Sequence, residues 1–290
     1  MFKGSLVAMV TPFRNNEVDE DAIRKMVNWH IEQGTHGLVP VGTTGESPTL
    51  SESEHTNVVE WVVNEAAGRV PVVAGAGSNN TAEAIHYTEH AARVGANATL
   101  HVAGYYNRPN QEGLYQHFKA VNDAVDLPII VYNIPPRAIV DISPDTMARL
   151  AKLKNIVGVK DATADLNRPM RERIRIKDEF CYLSGEDGTA VAYNAAGGNG
   201  CISVTANVAP ALCAQMQEAT LRGDYGSAIE IQTKLMPLHE ALFMEPSPAG
   251  AKYAASLIGL CEPTCRLPVV ELTAETKKII EKCLKDLALI

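Results

Sequence analysis

The chain has 290 residues, of which 46% are hydrophobic and 21% charged, and its net charge is −8. That length suits one large α/β domain with room for a helical appendage, and the composition is ordinary for a globular protein. The acidic balance argues against a nucleic-acid-binding face, which is usually basic, and no apolar run approaches the length of a membrane span.

The first apolar run, LVAMV from Leu6, is too short for a secretion signal and is ended by Thr11-Pro12. Asp19 to Gln33 then places Ile23, Met26, Val27 and Ile31 on one helical stripe. A second run, GLVPV from Gly37, leads into GTTGE (Gly42 to Glu46). A helix over 51–67 opens on Ser51. The third run, VPVVAGA from Val70, precedes a helix over 81–94 that opens on Asn80, with Glu83 at the spacing of a capping box. The fourth, ATLHVAG from Ala98, is followed by Tyr105-Tyr106, and the fifth, PIIVYN from Pro128, ends in Tyr132-Asn133 before Pro135-Pro136-Arg137. The sixth, IVGVK from Ile156, finishes on Lys160; the seventh, CYLSG from Cys181, runs into Gly185-Glu186-Asp187; the eighth is GCISV from Gly200. The interval between the last two leaves room for a helix of about two to three turns.

Eight short runs, nearly all apolar and alternating with helices, point to parallel strands buried on both faces. The count favours a closed (β/α)8 TIM barrel over an open doubly wound sheet. We place the barrel core over 1–206, its closing helix continuing beyond 206, and a C-terminal helical region over 207–290, punctuated by Gly223, EPSP from Glu245 and Pro263.

In such barrels the site lies at the C-terminal ends of the strands. The polar residues gather there: one lysine, three tyrosines, two threonines and one arginine. An amine at the rim of an apolar barrel is partly desolvated, which favours its neutral, nucleophilic form. Lys160 can then attack a carbonyl to give an imine, an electron sink that turns the adjacent carbon into an enamine. Tyr132 on the neighbouring strand can shuttle the proton, with a threonine hydroxyl linking it to a second tyrosine. Thr43 and Thr44, in a turn bracketed by glycines, can cradle a carboxylate through N–H groups and hydroxyls. The plainer alternatives are a lysine that snorkels to water and threonines that merely make a tight turn.

Other clusters carry less. Six scattered cysteines (Cys181, Cys201, Cys213, Cys261, Cys265, Cys283) lack zinc spacing and read as reduced thiols of a cytoplasmic protein. His86 and His90 are four apart but lack the H-E-x-x-H pattern. GAGSNN lacks the dinucleotide fingerprint. We therefore expect no metal and no cofactor beyond a covalent imine on Lys160.

VGTTGE, then YNIPPR followed by VGVKDAT, with YYNRPNQEGLYQHFKA and GCISVTANVAP, make the whole chain resemble the dihydrodipicolinate synthase and N-acetylneuraminate lyase family of Schiff-base aldolases. The resemblance implies condensation of pyruvate with L-aspartate 4-semialdehyde, the first committed step towards diaminopimelate and lysine. By position it makes Lys160 the Schiff-base lysine and Tyr132, Thr43 and Tyr106 the proton relay, Tyr106 reaching in from a neighbouring subunit. Thr44 would hold the pyruvyl carboxylate, Arg137 the carboxylate of the semialdehyde, and Gly185 and Ile202 would offer backbone contacts. It implies tight dimers paired into a homotetramer, and an L-lysine effector site at Ser47, Pro48, His55, Asn79, Glu83 and Tyr105, where a histidine of the family pattern falls on Glu52. Ala103-Gly104 stands where the family usually has Thr-Pro, so the loop that aims Tyr106 is less constrained. The alternatives are a pyruvate-dependent aldolase or dehydratase acting on a sugar acid, against which Arg137 speaks, and a non-catalytic barrel.

Overall fold

A computed structural model of the protein describes residues 2–290. Each expected apolar run forms a strand: β1 (Gly4–Ala8), β2 (Gly37–Val39), β3 (Val73–Gly75), β4 (Ala98–Val102), β5 (Ile129–Asn133), β6 (Ile156–Asp161), β7 (Cys181–Ser184) and β8 (Gly200–Ser203). They pair in the order β2-β1-β8-β7-β6-β5-β4-β3, all parallel. A single bridge, Leu38 to Val72, joins the ends and closes a TIM barrel. Closure brings backbones close. At Gly75 a Cβ would lie 2.3 Å from the Val41 carbonyl oxygen, so only glycine fits.

Helices α1 (Glu20–Glu32), α2 (Glu52–Ala66), α3 (Thr81–Val94), α4 (Gln111–Ala124), α5 (Pro144–Leu150), α6 (Arg168–Arg173), α7 (Ala190–Ala195) and α8 (Pro210–Leu221) follow the strands in turn. Side chains alternate along each strand. Leu6, Val39, Val73, Leu100, Ile130, Tyr132, Leu183 and Ile202 fill the barrel interior, while Val7, Leu38, Ala74, Val131 and Val159 pack outwards on the helices. The last three helices, α9 (Tyr225–Ala241), α10 (Ser247–Leu257) and α11 (Ala274–Asp286), form the expected C-terminal extension.

Two local expectations are corrected. Helix α7 has six residues, under two turns, because the turn at Gly185–Thr189 is taken up by Asp187, which accepts from the N–H groups of Val204 and Thr205, and Gly197 at φ 98° ends the helix. At the start of α3, Asn80 caps the Ala82 N–H at 3.1 Å, but Glu83 does not close a capping box. Its carboxylate takes the Ser78 hydroxyl instead, and Ser78 Oγ accepts the Asn80 N–H at 3.0 Å. The full box occurs at Ser51 with Glu54. His86 and His90 share no target: the first pairs with Glu52 at 2.8 Å and the second meets the Thr56 carbonyl at 3.0 Å.

Candidate active site

Strand β6 explains why an apolar run ends in a lysine. Between Ile129–Ile156 and Ile130–Gly158 its register against β5 slips by one residue, so Ile156 and Val159 face the helices while Lys160 and Ala162 face the interior. Lys160 is therefore carried inwards at the C-terminal end of the strand, 6% exposed. Tyr132 is its register partner on β5, and the Lys160 Nζ stands 4.2 Å from the centroid of the Tyr132 ring. The ring's negative face accommodates the amine in a site from which water is largely excluded. A buried lysine that, among the described residues, makes no direct ion pair is held for something other than solubility.

Directly after β7 comes Gly185, beside the Lys160 stem. A Cβ there would come within 2.8 Å of Ala162 Cβ and 3.2 Å of Lys160 Cε. Gly185 is thus the wall against which the lysine stem lies. Gly185→Ala is expected to destabilise by about 1–3 kcal/mol through overpacking, read as a lower midpoint in denaturant unfolding. An unchanged midpoint would mean that Ala162 and the lysine stem both move aside freely. Ile202 lies fully buried on β8, in the interior cluster that also holds Tyr132, Ala162 and Leu183.

Thr43 and Thr44 sit in the turn after β2. Backbone bonds from Gly45 N to Gly42 O and from Glu46 N to Thr43 O, both 3.1 Å, close the turn, and Thr11 Oγ1 donates to the Gly45 carbonyl at 2.7 Å. Val41 and Glu46, which bracket it, are left-handed at φ 49° and 56°. Each such non-glycine residue costs about 1–3 kcal/mol and persists only where its surroundings impose it. Thr44 is buried and Thr43 half-buried.

Arg137 lies exposed in a one-turn helix, Pro135–Ala138, directly after β5. Sequence reasoning passed over Glu186, next to Gly185. Burial first, then the neighbouring Asp187, pushes its carboxyl above the usual range, while Lys160 and Arg137 pull it down. Glu186 therefore shares the mouth with both cations. Also missed was a buttress behind β5 and β6. Asn133 Nδ2 donates to Asp141 at 2.8 Å, and Arg168 bridges Asp141 (2.5 Å), Glu172 (3.0 Å) and the Ile142 carbonyl. Burial pushes the Glu172 carboxyl up to about 7 against the pull of Arg168.

Tyr106 is not brought to Lys160 within the chain. It is 92% exposed with φ 65°, on a loop whose first residue, Ala103, donates its N–H to the Tyr132 carbonyl at 2.9 Å. That loop is not open: a Cβ at Gly104 would lie 3.1 Å from Pro109 Cγ. The remaining sequence-selected residues lie on adjoining elements away from Lys160. Ser47 and Pro48 are in the turn before α2, and His55 stacks on Tyr87 of α3 at 3.9 Å. The Asn79 carbonyl accepts from Asn107 at 2.7 Å, and Glu83 faces Ser78. Tyr105 is half-buried and close enough to Tyr87 to help raise its phenol, after burial, Glu83 and Glu52. Burial is the main reason that the His55 imidazole is pushed down to about 4, so it is neutral at pH 7.

Comparison with known proteins gives a consistent picture. A family profile described as the dihydrodipicolinate synthetase family matches residues 1–287. A protein of Parvibaculum lavamentivorans named 4-hydroxy-tetrahydrodipicolinate synthase is 63% identical over 290 residues, covering 100% of both chains. The dihydrodipicolinate synthase of Acinetobacter baumannii, solved in complex with pyruvate, superposes with a TM-score of 0.97 at 43% identity, covering 100% of both chains. That of Cyanidioschyzon merolae, solved with lysine bound, gives 0.96 at 35% identity, covering 100% of this chain and 99% of that one.

Proposed function

Since the chain belongs to the dihydrodipicolinate synthetase family, we propose that it is a Schiff-base lyase that condenses pyruvate with L-aspartate 4-semialdehyde to 4-hydroxy-tetrahydrodipicolinate, at the head of diaminopimelate and lysine synthesis. The observation that carries this reading is the buried amine of Lys160 against the ring of its register partner Tyr132 at the barrel mouth. Lys160 Nζ attacks the pyruvate keto carbon and water leaves, giving an imine. Loss of a C3 proton gives the enamine, which attacks the aldehyde carbon of the semialdehyde. The semialdehyde's amino group then displaces Lys160 from the imine carbon and closes the ring. No cofactor is needed, because the imine is itself the electron sink.

Tyr132 and Thr43 move the protons together with the partner subunit's Tyr106. The exposure of Tyr106 supports this, since it leaves the phenol free to meet a neighbouring subunit. The assembly is a tight dimer paired into a homotetramer. An exposed apolar stripe, Leu166, Met170 and Ile174 on α6 and its flanks, supports the second contact. Thr44 and the turn N–H groups take the pyruvyl carboxylate, while the Gly185 and Ile202 backbones line the lysine. Ser47, Pro48, His55, Asn79, Glu83 and Tyr105 form an L-lysine inhibitory site; here Glu52, engaged by His86, replaces a histidine contact. The enzyme works in the cytoplasm: its six cysteines are free, as a reducing compartment keeps them. Among the described residues no helix is long and apolar enough to cross a membrane.

Arg137 at the mouth takes the semialdehyde carboxylate in a bidentate pair. Arg137→Ala is expected to raise KM for the semialdehyde about tenfold to a hundredfold, the worth of one charge-assisted bond, with KM for pyruvate unchanged. Steady-state kinetics with each substrate varied in turn checks this. Equal loss for both substrates removes Arg137 from second-substrate recognition. Faster turnover of sugar-derived aldehydes than of aspartate semialdehyde would replace the substrate assignment.

A further inference from the structure

The turn that carries Thr43 and Thr44 is anchored from the far end of the chain. Its last residue, Glu46, is one of the two left-handed residues that shape it. The Glu46 carboxylate points away from the barrel mouth into the C-terminal region. There, Oε1 accepts from Lys252 Nζ at 2.8 Å and Oε2 from the backbone N–H of Arg266 at 2.9 Å. Lys252 lies in the middle of α10, 206 residues further along, and the two side chains are 0% and 2% exposed. The Phe13 ring covers the pair, with Lys252 Nζ 4.0 Å and the Arg266 guanidinium 4.4 Å from its centroid. Arg266 extends the anchorage, donating to the Thr49 carbonyl at 2.8 Å and to Glu54.

A fully buried ion pair is a poor means of gaining stability, because an apolar pair of the same volume usually serves as well. What it does supply is direction. Two donors fix both oxygens of one carboxylate, and so tether the side chain of left-handed Glu46, two residues from Thr44. We propose that Glu46 and Lys252 are positioning residues of the active site: the ion pair holds the Thr43–Thr44 turn in its substrate-binding geometry, making the C-terminal helices a strut of a site to which they contribute no reacting group. This rests on the reading of Thr44 as the carboxylate cradle.

Glu46→Gln keeps the side-chain shape but leaves one acceptor oxygen for two donors. At a temperature where circular dichroism shows the variant fully folded, kcat/KM for pyruvate is expected to fall about tenfold or more, since a small misplacement of a binding group is enough. KM for the semialdehyde, bound by Arg137 from the one-turn helix after β5, stays within about twofold. Combining Glu46→Gln with Thr44→Val is expected to do no more harm than Thr44→Val alone, because one acts through the other. A lowered melting temperature with unchanged kinetics, or strictly multiplicative losses in the double variant, overturns the proposal. If Thr44→Val itself leaves KM for pyruvate unchanged, the cradle reading falls and takes this inference with it; if only Glu46→Gln is without effect, this inference falls alone. Should Glu46→Gln not fold, Lys252→Gln, which retains a donor for Oε1, is read in the same way. Failure of both to fold assigns the pair to stability and overturns the proposal.

Discussion

Lys160→Met is expected to lower kcat by about 10⁴-fold or more, as removal of a covalent nucleophile does, without loss of the fold. Lys160 is 6% exposed, and its amine meets the face of Tyr132 and, among the described residues, makes no direct ion pair. A methionine of similar length fills the same channel beside Gly185, where the stem carbons already pack. Removing a polar group from an apolar interior costs no hydrogen bond within the chain and relieves its desolvation. The melting temperature should therefore hold or rise while turnover vanishes. That opposition separates a catalytic lysine from a structural one. A variant that loses stability and keeps measurable turnover would place Lys160 among the packing residues.

Tyr132→Phe is expected to separate the proposed proton shuttle from the proposed nucleophile. The ring remains under Lys160 Nζ, so the environment of the amine and the packing among Ile130, Ala162 and Ile202 are preserved. Only the hydroxyl is lost. General acid–base assistance contributes about 10²–10⁴-fold, and kcat should fall within that range while pyruvate still forms a reducible adduct on Lys160. Rapid-quench measurement of adduct formation beside steady-state turnover checks this. If the adduct disappears with the hydroxyl, Tyr132 acts in forming the imine and not only in the later proton transfers. If both rates are unaffected, another residue moves the proton.

Much of this arrangement was legible in the sequence because it is local. Eight apolar runs bounded by glycine and proline turns can hardly be anything but buried parallel strands, and side-chain alternation makes the fate of Lys160 a question of phase alone. That phase was not itself readable. The slipped register in β6 adds a residue between Ile156 and Gly158, and nothing in IVGVKD announces it. The caps at Ser51 and Asn80 were readable from residue type; the partner of Glu83 was not, because Ser78, two residues before the cap, competed for its carboxylate. Long-range partners were the least accessible. Arg168 is one of several arginines in its segment, and only folding shows that it buttresses Asp141 and Glu172 behind β6. Lys252 left only a faint trace, a lone cation among the small residues of PAGAKYAAS; once it is buried, it requires an acid partner. The sequence does not say that the acid is Glu46. Tyr106 marks the opposite limit, a chemically informative side chain whose expected site lies outside its own chain.

The central claim is that Lys160 forms the imine and that aspartate semialdehyde consumes it. The direct measurement is to incubate the protein with pyruvate, reduce with borohydride and map the modified peptide by mass spectrometry, with a parallel sample given the semialdehyde before reduction. The expected result is one reduced pyruvyl group, on Lys160, depleted in the parallel sample as the enamine is turned over. Labelling of Lys160 that the semialdehyde leaves untouched would contradict the substrate assignment. An unlabelled Lys160 in folded protein would contradict the mechanism itself.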